Sequence, residues 1–238
     1  MRQVLPAALI VLSAAISICG QEQPQTKHNT RPNQATASAT PVASNNNTDP
    51  VKYTYEFTQP KFYVKHITLE HDVNGRGTVT FERLNEDASV SEPIELSSAA
   101  LARINAAWQA LQFLDSIADY QADKQFPHLG TMRIGMERGD RKRVAEFNWT
   151  NNNNAETLVN EYRKVADQAI LIFDISIARQ NQPLNAPKLM EAMESLINRN
   201  ALSDPQQLLP LLKELSTDER VPLIARNHAL RLIKKIQK

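Results

Sequence analysis

The chain has 238 residues, 42% hydrophobic and 22% charged, with 27 Lys+Arg against 26 Asp+Glu and a formal net charge of +1. That much apolar side chain can bury at least one sizeable core and excludes wholesale disorder, while the balanced charge removes the global electrostatic case for a nucleic-acid partner. Only six glycines occur, which leaves few places to wrap backbone around a phosphate and argues against nucleotide-binding folds.

In chain order, Val4 to Ile18 is an apolar run behind the positive charge of Arg2, the plan of a signal peptide. It falls short of the roughly 20 apolar residues of a membrane-spanning helix. Cys19, the single cysteine, ends the run after Ile16-Ser17-Ile18 and precedes Gly20. This segment resembles a bacterial lipobox, which implies that the Cys19 thiol receives a diacylglycerol group and that residues 1–19 are a signal segment. Ile16 and Ser17 suit that pattern, whereas Ile18 stands where a small residue is usual. Cleavage after Ser17 without lipid is the alternative. Residues 20–50 contain no Leu, Ile, Met or aromatic residue, the composition of a disordered tether, with a root-mean-square reach of about 30 Å as a flexible coil.

Residues 51–182 predict an α+β domain. Tyr53, Tyr55 and Phe57 alternate with polar residues and Pro60 ends the strand. Phe62–Val73 and Thr78–Leu84 form a hairpin. A three-residue Asn74-Gly75-Arg76 loop would set Leu69 opposite Phe81 and His71 opposite Val79. Pro93–Leu96 predicts a short further strand. Ser97 or Ser98 caps a helix whose core stripe is Leu101, Ile104, Trp108, Leu111 and Leu114. Met132, Ile134 and Met136 begin a second hairpin that turns at Gly139-Asp140 and returns through Ala145, Phe147 and Trp149. Its tip crowds Arg138, Arg141, Lys142 and Arg143, the candidate contact to an anionic surface or partner because clustered arginines bind planar anions; a solvated tip is the competing reading. Asn154 would cap a long helix through Leu158, Tyr162, Val165, Ala169, Ile172 and Ser176, with its second half sandwiched between layers. Asp174 within that half needs a partner, and Arg179 is the nearest candidate.

Asn74-Gly75, Thr78-Val79-Thr80-Phe81 and Phe113-Leu114, in the order strand, hairpin, helix, hairpin, helix, resemble a group of uncharacterised exported bacterial α+β domains. That resemblance implies the fold and carries no activity. Residues 183–238 predict an all-helical extension. Asn185 and Pro187 start one helix, and Asp204, Pro205 and Gln207 give the next an N-cap, a first-position proline and a capping-box partner. Leu208 to Leu212, the Asp218 turn, and Ala225, Ala229, Leu230 and Ile233 resemble a single HEAT-like helical pair.

Motifs for catalysis are lacking: there is no phosphate loop, no His-Glu-x-x-His and no Gly-x-Ser-x-Gly. His66 and His71 lie five apart on one strand and face opposite ways. Catalytic, cofactor and metal residues are therefore expected to be none, with no cofactor. The sequence points to an exported binding or assembly module, tethered to the envelope membrane by a lipid on Cys19. Its partner would be an envelope protein or an anionic surface. An enzyme with a site assembled from separate elements, or a soluble periplasmic inhibitor or chaperone-like protein, are the alternatives.

Overall fold

In the computed structural model, which describes residues 49–238, the alternating apolar segments pair as one antiparallel sheet. Its strands are β1 (Val51–Thr58), β2 (Val64–Asp72), β3 (Arg76–Arg83), β4 (Val90–Glu95), β5 (Thr131–Arg138) and β6 (Arg141–Phe147), in the order β4-β3-β2-β1-β5-β6. Two long helices, α1 (Ser98–Leu111) and α2 (Asn153–Asn181), contribute to the core with the sheet. With the C-terminal helices this is the α+β class that the sequence predicts. The signal segment, Cys19 and the tether through residue 48 lie outside the described residues.

Period-two alternation buries Tyr53, Tyr55, Phe57, Leu69, Phe81 and Ile134 on one face. The opposite face is charged, with cross-strand pairs such as Lys52–Glu70 at 2.8 Å and Arg133–Glu56 at 3.3 Å. Both sheet edges are protected. On β4, Pro93 cannot donate to another strand. Beside β6 runs the segment that follows α1, where the Ala122 amide donates to the Trp149 carbonyl at 2.9 Å and the Asn148 amide to Gln121 Oε1 at 2.9 Å.

The first hairpin has the three-residue loop expected, but one position earlier. Asp72 pairs with Arg76 across Val73-Asn74-Gly75, so Leu69 faces Val79 and His71 faces Gly77. Two local forces set this register. Asp72 Oδ1 accepts from the Asn74 and Arg76 amides, at 2.8 and 3.0 Å, and Gly75 takes the left-handed third position with φ +78°. The expected register would have put glycine second. The Gly139-Asp140 hairpin keeps the predicted pairing, with Ile134 opposite Ala145 and Met132 opposite Phe147. Trp149 does not continue β6; it lies beyond the strand and is 41% exposed.

Ser97 caps α1 as predicted, its hydroxyl accepting from the Ala100 amide at 3.2 Å. For α2 the cap is Asn152 rather than Asn154, because its Oδ1 reaches the amides of both Asn154 and Ala155 at 3.0 Å. The second half of α2 lies between two cores, as its apolar girth predicts. Phe173 packs on Phe81, while Leu171 and Ile175 join the core of the C-terminal helices. Asp174 pairs with Arg83, not Arg179. Arg83 is itself buried among the rings of Tyr63, Phe81 and Phe173, and Arg179 instead reaches Asp218 at 2.7 Å and Glu214 at 2.6 Å.

The C-terminal helices are α3 (Ala186–Asn198), α4 (Leu209–Thr217) and α5 (Leu223–Ile236). Asp204 caps a short 3-10 turn that leads into α4, its carboxylate accepting from the Gln206 amide. The capping box predicted for Gln207 does not form. Gln168 of α2 takes that place: its Oε1 accepts from the Asp204 amide at 2.9 Å and its Nε2 donates to Gln207 Oε1 at 3.0 Å. Gln207 in turn donates to the Glu95 carbonyl of β4 at 2.9 Å. One glutamine pair thereby ties sheet, α2 and the start of α4 together. In α5 the buried side is Ala225, His228, Ala229 and Leu232, and Leu230 is 46% exposed.

Candidate functional site: an apolar groove beside α2

Four residues of polar or charged type follow one another along α2 at helical spacing, Glu156, Asn160, Arg163 and Asp167, while Lys164 is turned aside to Glu161. These four form one wall of a groove of about 750 Å³. The floor comes from the buried face of the sheet, where Tyr55, Phe57, Ile67, Met132 and Phe147 converge. Phe62, Tyr63 and Trp149 stand at the rim, 44%, 62% and 41% exposed. Each of these three aromatics lies just outside a strand end, in connecting chain with no further layer to cover it. The size lies within the range of small-molecule sites, and an apolar lining with a few polar groups is their usual chemistry.

Of the polar groups at one end of the groove, Tyr55 is buried while Arg163 and Asp167 are exposed. Tyr55 is fully buried and its hydroxyl makes no hydrogen bond; burial pushes its pKa up to about 12, against the pull of Arg163. Arg163 lies over the Phe57 ring at 5.9 Å and donates from Nη2 to the Met132 sulfur at 3.1 Å, a weak acceptor. Asp167 is open to water on one side, yet the protein atoms around its carboxyl raise its pKa by desolvation, which outweighs Arg163 and Arg199. Neither Arg163 nor Asp167 forms an ion pair among the described residues.

A second polar cluster lies inside the core, where Tyr162, Trp108 and His71 are 0%, 2% and 3% exposed. His71 Nδ1 must donate to the Asp72 carbonyl, 2.7 Å away, because a carbonyl only accepts. Its Nε2 then accepts from the Tyr162 hydroxyl at 2.9 Å, and that oxygen accepts from Trp108 Nε1 at 2.9 Å. Every group is satisfied with His71 neutral, and burial lowers its pKa. The arrangement holds α1, α2 and β2 together. His66 faces the other way and bonds the hydroxyls of Thr58 and Thr68; neither imidazole meets a carboxylate.

The basic hairpin tip is largely engaged within the molecule. Arg143 donates to the carbonyls of Phe113 and Ala118, both at 2.6 Å, and stacks over Phe113 and Tyr120. Arg141 donates to the Leu114 carbonyl at 2.8 Å and pairs with Asp115 at 2.5 Å. Lys142 pairs with Glu137. These contacts clasp the segment after α1, a task not apparent in the sequence because the clasped acceptors are backbone carbonyls. Arg138 and Arg141 also border a smaller cleft of about 400 Å³ with Tyr53, Asn105 and Gln109.

Among the described residues no group of three His, Cys, Asp or Glu is placed to hold a metal ion, and no helix is long and apolar enough to cross a membrane. No protein-family model matches the chain, and no curated protein is significantly similar to it.

Proposed function

We propose that the protein is an exported binding module of the bacterial cell envelope, tethered through a lipid on Cys19, whose groove beside α2 receives an apolar ligand. The observation that carries this reading is the groove itself: about 750 Å³, floored by core aromatics and rimmed by exposed ones. Leaving Phe62, Tyr63 and Trp149 open to water forgoes burial that each ring would gain by covering, at about 25 cal/mol per Å², so the rim favours a ligand that covers it. The export and tether parts rest on the lipobox-like segment at Ile16 to Gly20 and on the composition of residues 20–50.

The groove is tested with N-phenyl-1-naphthylamine, an uncharged probe that fluoresces in apolar surroundings. Saturable binding at one site per chain is expected, and Asn160→Trp, which adds a ring on the exposed groove wall, abolishes it without lowering the thermal midpoint. Absence of saturable binding, or binding indifferent to Asn160→Trp in a folded variant, overturns the reading. The tether is tested by the intact mass of the mature protein: a chain beginning at Cys19 with acyl mass added is expected, and an unmodified chain beginning at Ile18 or later contradicts it.

A further inference from the structure

We infer that the groove selects a single-chain amphiphile with a carboxylate head, the chain lying along α2 over Phe57, Met132 and Phe147 and the head on Arg163 and the Tyr55 hydroxyl. This rests on the groove being a binding site and adds the class of its ligand.

The end of the groove at Arg163 and Tyr55 offers donors to a ligand. A guanidinium offers five N–H donors, and the hydrogen bond that Arg163 makes is to a thioether, Met132 Sδ, at 3.1 Å. Beside it the Tyr55 hydroxyl is buried and makes no hydrogen bond, an unfavourable state in a closed core. One acceptor placed between the exposed Arg163 guanidinium and the Tyr55 hydroxyl would meet both donors, and a carboxylate matches the planar fork of Arg. Asp167 forms no ion pair with Arg163 among the described residues, and desolvation raises its pKa from the ordinary carboxylate value.

The tail is set by the rest of the lining. From Glu156 to Asp167 the wall of α2 extends about 16 Å at the helical rise, and the side chains facing it across the floor are apolar. The protein's own tether is a poor occupant, since residues 20–50 hold no Leu, Ile, Met or aromatic side chain.

Dodecanoate, dodecanol and dodecyltrimethylammonium are titrated as competitors of N-phenyl-1-naphthylamine below their micelle concentrations, on the wild type and on Arg163→Met, which keeps an apolar stem over Phe57. Dodecanoate is expected to bind on the order of tenfold tighter than dodecanol, the worth of one charge-assisted hydrogen bond. Arg163→Met should remove that advantage and leave dodecanol unchanged. Tyr55→Phe should remove a smaller part of it. Equal affinity of acid and alcohol, or preference for the ammonium head, overturns the inference while leaving an apolar groove in place. Failure of all three, with no probe bound at the start, removes the binding reading itself.

Discussion

Tyr55 and Tyr162 stack on each other at 5.4 Å between centroids, yet their hydroxyls have opposite roles. Tyr162→Phe orphans the Trp108 donor and the His71 acceptor, so it should cost about 2–4 kcal/mol in a urea unfolding experiment. Tyr55→Phe removes a hydroxyl that has no partner and should leave stability within about 0.5 kcal/mol of the wild type or raise it. Equal losses would contradict the assigned hydrogen bonds. His71 belongs to the same cluster. Its folded pKa lies below the ordinary 6.5 because burial penalises the charged ring, so the stability it contributes is fully present above pH 6.5 and is lost as pH falls through the folded value. Histidine NMR should show His71 still mostly neutral at pH 6.5, and a titration midpoint at 6.5 would refute the buried neutral ring.

At the scale of elements, strand alternation and helix stripes were legible because burial has the period of the backbone: Tyr53, Tyr55 and Phe57 fall inward, and Ile104 and Trp108 face the core. What sequence could not supply was the choice between equally apolar registers. Leu69 opposite Phe81 and Leu69 opposite Val79 bury similar area, and the selection came from the backbone need of Gly75 and the side chain of Asp72. Gly75→Ala should therefore cost about 1–2 kcal/mol, aggravated by Leu96 Cβ, 2.9 Å from the added methyl, as read by the urea midpoint. Long-range polar partners were equally hidden. Gln168 satisfies the Asp204 amide from 36 residues away, and nothing local marks it. Gln168→Ala should speed hydrogen exchange in α4 and α5 more than in β1 and β2; uniform acceleration would deny it the local role of tying α4 to the sheet.

For the molecule as a whole, α2 is the shared member of two cores, one with the sheet and one with α3, α4 and α5. The same helix supplies the groove wall in its first half, before the second core begins at Leu171. The groove was not legible in the sequence because its residues arrive from β1, β2, β5, β6 and α2 and from strand-end chain. The rim was hidden for the same reason: Phe62, Tyr63 and Trp149 read as strand residues in the sequence, and the strands instead begin at Val64 and end at Phe147. The basic tip was legible as charge, but Arg141 and Arg143 serve the segment after α1. Two concave surfaces thus compete for a role, the groove beside α2 and the smaller cleft at Arg138 and Arg141. Amide chemical-shift mapping of the folded protein with dodecanoate decides between them. Shifts confined to residues 55–67, 129–132 and 147–167 are the result expected of the groove. Shifts centred on Tyr53, Asn105 and Arg138, or none that saturate, would contradict it.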